Sequence, residues 1–227
     1  MILVLAMLVL PGLAQAGISL AGLAPESRAA AIIALLAQEA GLVVLSVAST
    51  TYGYGQRPAV IGLRGFKEAR LYLVGLLAAV ALLALNIIGD RVSIVVLGLF
   101  LPGDVIDGFL QEEDRFMLSL FGPGQQWLSL TTVILLVNGL APIAEEIFFR
   151  GFAYRVFRQR MAARAAILVS STLFASVHFY VVHFLPIFLI GVVLAYLAER
   201  YRSLVPSMVA HVGLNFAVTL LLLVGRT

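Results

Sequence analysis

Six stretches of this chain, residues 1–25, 29–38, 71–89, 116–144, 165–198 and 203–225, contain no Asp, Glu, Lys or Arg. About 20 consecutive apolar residues cross the hydrocarbon core of a bilayer as a helix. Backbone polar groups find no water there, so only helices and closed barrels can span it. Barrel strands alternate apolar and polar residues, whereas these runs are continuous, and the pattern predicts helices. Composition agrees: 12% of the residues are charged and 62% are hydrophobic, where a soluble domain carries about 25% charge to wet its surface. The expected fold is all-α, a polytopic transmembrane bundle of about eight helices forming a single integral membrane domain over 1–227. The helices are expected near 1–23, 29–50, 70–89, 92–110, 127–158, 164–182, 186–199 and 204–225.

The chain has no cysteine, which removes disulfides and thiolate metal sites. A net charge of +3 calls for no nucleic-acid partner. Its distribution says more than its size. The link 51–70 holds Arg57, Arg64, Lys67 and Arg70 against Glu68, and 150–164 holds Arg150, Arg155, Arg158, Arg160 and Arg164 with no acid. By contrast, 102–115 holds Asp104, Asp107, Glu112, Glu113 and Asp114 against Arg115. Basic connections face the cytoplasm, so the chain reads as a multi-pass protein of the cell membrane in contact with its lipids. In the carboxy-terminal half, 155–164 lies inside, a hairpin runs through 164–199, Arg200 and Arg202 return inside, and the last helix runs outward. Spans 70–89, 92–110 and 127–158 make three crossings between two basic stretches that need an even number. The segment 92–110, broken by Pro102-Gly103, is therefore expected to be partial or re-entrant. At the amino terminus, Ala14-Gln15-Ala16 looks like a signal-peptidase site, but no basic residue precedes it. Met1–Ala16 is read instead as part of a first transmembrane helix, bent at Pro11-Gly12.

Ionisable groups at membrane depth cost about 2.5–3.5 kcal/mol each on insertion scales, so each is a functional candidate. Glu145, Glu146 and Arg150 stand amid apolar residues in 137–150. Glu146 and Arg150 are four apart, share a helix face and can pair. Glu145 points about 100° away and has no partner on its own helix. A carboxylate that no cation shares is free to take a proton from water. His178 follows on the next apolar segment, about 20 Å along its helix from Arg164. His183, beside the bend at Pro186, is given no role. His211 and Asn215 are again four apart on one face, with Gly213 between them.

In this order, Glu145-Glu146-x-x-x-Arg150, Phe174-x-x-x-His178 and His211-x-x-x-Asn215 resemble the three motifs of the CAAX-protease and bacteriocin-processing family. That family includes the type II CAAX prenyl endopeptidases and the former abortive-infection proteins. The approach Ser203-Leu204-Val205-Pro206-Ser207-Met208-Val209-Ala210-His211 is similar too, and the family-like core covers about 127–220. The resemblance implies an eight-helix bundle with a water-filled cavity inside the membrane, acting as an intramembrane endopeptidase. By position, Glu145 would activate the attacking water with help from His178. His211 and Asn215 would hold the oxyanion, and Glu146 with Arg150 would position the motif helix. Its substrate would be a peptide or lipidated protein, in a prenylated CaaX tail or a membrane-associated precursor.

Other intramembrane proteases fit less well. His-Glu-x-x-His of the zinc site-two type and Gly-x-Ser-Gly of the rhomboid type are absent, and the Gly-Asp pairs at 89–90 and 103–104 lack the Tyr-Asp partner of the aspartyl type. No cofactor is expected, with zinc kept open because Glu145, His178 and His211 make a possible three-ligand set. A non-proteolytic membrane scaffold or immunity protein of the same fold is the alternative from another class. A proton-coupled transporter would show an inverted repeat, and none is visible.

Overall fold

The computed structural model describes residues 16–20, 22, 27–121 and 127–224. Most of the helix expected over 1–23, including its bend at Pro11-Gly12, lies outside the described residues. Among the described residues all regular structure is helical. Helix α1 is Arg28–Ala48, opened by Ser27, whose hydroxyl accepts from the N–H of Ala30 and so satisfies one of the free donors of the first turn. Helix α2 is Ala69–Leu97 and α3 is Gly103–Phe121. Helix α4 runs through 127–158 and alternates α and π geometry. Helices α5, α6 and α7 are Ala163–Ser176, Phe184–Tyr201 and Val205–Val224.

The boundaries expected near residue 90 are corrected. Asp90 does not end a helix, because Asn86 Nδ2 bonds its Oδ2 one turn back at 3.3 Å and Gly89 packs against Pro186. Helix α2 continues to Leu97, and the chain turns over 98–102, where Pro102 has no N–H to carry the helical ladder on. The next helix, α3, carries Asp104, Asp107, Glu112 and Glu113 and is not among the helices apolar enough to cross. By length and composition the candidate spans are Ala29–Gly53, Ala69–Leu97, Leu130–Arg158, Phe184–Tyr201 and Val205–Val224. Only two of them separate the basic stretches 51–70 and 155–164, so the crossing number is even without a re-entrant segment.

Both stretches meet the connection 199–204. Arg64 Nε donates to the carbonyl of Arg202 at 2.6 Å, Leu204 N to that of Gly62 at 3.0 Å, and Arg158 pairs with Glu199 at 3.3 Å. Basic residues thus gather at one end of the bundle. At the other end, Ser93 Oγ donates to the carbonyl of Val182, and Glu113 takes the N–H groups of Val181 and Val182 at 2.6 and 2.9 Å.

Over 71–85 helix α2 is apolar all round, as suits a helix between protein and lipid. Its inner face is Leu71, Gly75, Ala79, Leu82, Gly89 and Ser93, while Leu76, Leu77, Val80 and Ile88 stay exposed. Small inner residues let α7 approach closely. A Cβ added at Gly75 would stand 2.6 Å from that of Val209, and one added at Gly213 would stand 2.8 Å from that of Ala79. On the other side, α1 packs on 141–153 of α4 through Leu42, Phe148, Phe149 and Phe152, with Phe174 of α5 completing the cluster.

Candidate active site

Glu145 closes the short α-turn Ala141–Glu145, and Glu146 opens the wider π-helical segment Glu146–Ala153. Single π turns inside α-helices are frequent at functional sites. Adjacent on the chain, the two carboxylates face different neighbours. Glu146 and Arg150 have no exposed side-chain surface, and Nη1 of Arg150 donates to Oε1 of Glu146 at 2.6 Å. Nη2 of Arg150 reaches the carbonyl of Gly191 at 3.4 Å, and its guanidinium carbon lies 4.1 Å from the centre of the Phe174 ring. Pairing, hydrogen bonding and stacking together offset the desolvation of a buried ion pair.

Glu145 is the more accessible acid, 17% exposed, with Oε2 3.7 Å from Nε2 of His211. The other ring nitrogen, Nδ1, lies 3.0 Å from Oε1 of Glu146. An ionised carboxylate only accepts, so Nδ1 carries the hydrogen. His211 therefore stands between the two glutamates, a contact that the sequence spacing did not announce.

The expected helix 164–182 is shorter in the structure. Helix α5 stops at Ser176, and Phe179, with φ at 57°, turns the chain back toward α6. His178 sits in that turn, with Nδ1 2.7 Å from the carbonyl of Phe174. The carbonyl accepts, so the Nδ1–H donates and the neutral ring keeps its lone pair on Nε2. The Phe174 ring is the hub of the site. Its centroid lies 4.9 Å from that of His178, 5.7 Å from His211 and 5.1 Å from Phe149.

Asn215 is held elsewhere on α4, its Nδ2 donating to the carbonyl of Val137 at 3.2 Å. The reason is local. In the π segment Leu136–Leu140, the N–H of Ala141 bonds the carbonyl of Leu136, five residues back. The same register would give the carbonyl of Val137 to residue 142, which is proline and has no N–H. One turn further along α7, Thr219 donates to Oδ1 of Asn138 at 2.9 Å.

Three features went unassigned in the sequence. Phe174 stood in a motif without a role. Glu113 is buried and takes the backbone N–H of His183 at 3.2 Å as well as its ring Nδ1. Together with the bonds from Val181 and Val182, this fastens the loop after His178 to α3. The third is Glu39, 1% exposed at the centre of α1. It is the one charged residue between Arg28 and Arg57, so the rule that selected Glu145 applied to it equally. Among the described residues, no three His, Cys, Asp or Glu side chains gather as a metal-ligand set.

A bundle of apolar helices that gathers two glutamates, an arginine and two histidines around one phenylalanine is a polytopic membrane protein with an ionisable site between its helices. Residues 126–217 match the family model described as type II CAAX prenyl endopeptidase Rce1-like. That matched segment contains every motif residue from Glu145 to Asn215. No curated protein and no solved structure matches the chain.

Proposed function

We propose that the protein is a glutamate-type intramembrane endopeptidase that attacks a peptide bond with water. The observation that carries this reading is the division of labour between the adjacent acids: Glu146 is consumed by Arg150, while Glu145 has no hydrogen-bonded cation and keeps solvent access. Glu145 takes a proton from water as the oxygen attacks the carbonyl carbon, and Nε2 of His178, its lone pair free, helps to orient that water. The proton then passes to the leaving nitrogen as the C–N bond breaks. His211, with Nδ1–H on Glu146, presents Nε2 to the developing oxyanion. To donate there, the ring carries a proton on Nε2 as well as on Nδ1. The free N–H of the Asn215 amide is the second donor. Loss of one such donor costs about 2.7–4 kcal/mol in the transition state.

The basic end of the bundle faces the cytoplasm of a cell membrane in this reading. Substrates are then membrane-anchored peptides, either prenylated CaaX tails or peptide precursors. Purified protein is incubated with a prenylated CaaX peptide, its unprenylated form and a pool of membrane peptides, beside Glu145→Gln as control. Cleavage abolished in the control supports the reading; a fully active Glu145→Gln protein overturns it. Activity should survive exhaustive chelation, and its loss with EDTA and recovery with zinc would replace water activation by glutamate with a metal site.

A further inference from the structure

The mechanism above leaves the basic end of the bundle without a task. A cavity of about 330 Å³ lies there, and its walls include Arg64, Tyr154, Arg155, Arg158, Glu199 and Arg202. Four arginines thus meet one acid. Glu199 is engaged by Nε of Arg158 at 3.3 Å. Among the described residues, Arg64, Arg155 and Arg202 pair with no carboxylate. Guanidinium groups gathered around one space repel one another, and an anion held among them reverses the sign of that interaction.

Arginines that merely face solvent would be free in water, and these are held by the fold. Nε of Arg155 is buried and has no hydrogen-bond partner. Its guanidinium lies against Gly62, where an added Cβ would stand 2.7 Å from Nη2. The φ of Gly62 is +89°, a conformation open to glycine, so this link can run close to the arginine. Arg64 is fixed by the bond from its Nε to the carbonyl of Arg202 at 2.6 Å. Arg202 itself caps α6 in the left-handed region, with φ at 50°. Glycine or asparagine is usual at that position. An arginine there keeps backbone strain and sets another guanidinium on the cavity wall, and strain of this kind gathers at ligand sites.

We propose that this cavity binds a phosphate group, supplied by the headgroup of an anionic lipid or by soluble phosphate. The planar fork of a guanidinium matches two phosphate oxygens at once. The candidate span Leu130–Arg158 ends at the cavity, and Arg202 follows the span Phe184–Tyr201, which sets the cavity at the level of the headgroups. Basic pockets between transmembrane helices hold such headgroups on the cytoplasmic side. Arg155 stands ten residues beyond Glu145 on the same helix, and the site does not depend on the peptidase reading.

The test uses the full-length purified protein. In one arm, native mass spectrometry reads which lipid stays bound after release from nanodiscs that mix phosphatidylglycerol with phosphatidylcholine. In the other, inorganic phosphate is titrated into the protein in detergent and the melting temperature is followed. Phosphatidylglycerol should be retained in preference to phosphatidylcholine. Arg155→Gln should weaken binding at least about tenfold, as expected when a charge-assisted hydrogen bond is lost. Arg202→Gly removes a guanidinium where the backbone suits glycine, so its melting temperature without ligand should hold or rise while binding falls. Arg160→Gln, off the cavity wall, should bind as the wild type does. Selective retention of the anionic lipid without a phosphate shift identifies the headgroup as the source, and a phosphate shift without lipid selectivity identifies soluble phosphate. A wild-type protein that shows neither overturns the proposal. So does undiminished binding in a folded Arg155→Gln or, should that variant not fold, in Arg202→Gly. An equal loss in Arg160→Gln would reduce the effect to general basic charge and overturn the site as well.

Discussion

Nδ1 of His211 stands 3.0 Å from Oε1 of Glu146, the same oxygen that receives Arg150 at 2.6 Å. One atom thus ties α7 to the motif helix α4 and orients the histidine that faces Glu145. Removing its charge should strand Arg150 in the interior, a loss of about 3–5 kcal/mol for a broken buried pair. Glu146→Gln should therefore lower the melting temperature in detergent and reduce expression. Glu145→Gln removes no ion pair to a lysine or arginine, so stability should hold while turnover falls by about 10² or more. Thermal unfolding beside peptide cleavage checks both. If Glu145→Gln unfolds the protein and Glu146→Gln is stable but inactive, the two acids have been assigned the wrong way round.

Phe174 touches Arg150, His178 and His211 with one ring. Phe174→Leu keeps apolar volume but loses the cation–π contact at 4.1 Å and the edge contacts to both histidines. The expected cost is about 1–2 kcal/mol from the desolvated cation–π interaction, together with a drop in kcat larger than any rise in KM. A Phe174→Leu protein with wild-type kcat would mean that the ring only fills space.

Glu113 lies far along the chain from His178 yet governs its loop. Glu113→Ala leaves the N–H groups of Val181, Val182 and His183 without their acceptor, and each unsatisfied buried donor costs about 1–3 kcal/mol. Hydrogen exchange over 177–183 should accelerate, and turnover should fall although no catalytic group has been touched. Unchanged exchange in that loop would show that α3 does not hold it.

The membrane class of the chain, its helical architecture and the pairing of Glu146 with Arg150 were legible because each follows from local sequence: continuous apolar runs and a spacing of four on one helix. What was missed depends on contacts between helices. The continuation of α2 through Asp90 rests on Asn86 and on Pro186 from another helix. His211 between the two glutamates, and the hub at Phe174, join residues far apart in sequence, for which periodicity carries no signal. Glu39 was visible as an ionisable residue within an apolar stretch. Its burial required the packing of α1 on α4.

Asn215 raises the sharpest conflict between a structural and a chemical role. Its Nδ2 satisfies the carbonyl of Val137, whose π-register donor is missing because residue 142 is proline. Asn215→Ala should therefore destabilise the protein by about 1–3 kcal/mol, the cost of leaving a buried acceptor unpaired, in addition to any loss of oxyanion binding. Pro142→Ala supplies the absent N–H. In that background Val137 has a backbone donor, and Asn215→Ala should cost less stability, giving a coupling of about 0.5–3 kcal/mol in a double-mutant cycle. The catalytic deficit should not be rescued in the same way. If Asn215 also donates to the oxyanion, kcat should stay about 10²-fold down in the double mutant although its melting temperature has recovered. Recovery of both together would make Asn215 a support of the π turn alone, and the oxyanion would then rest on His211 without it.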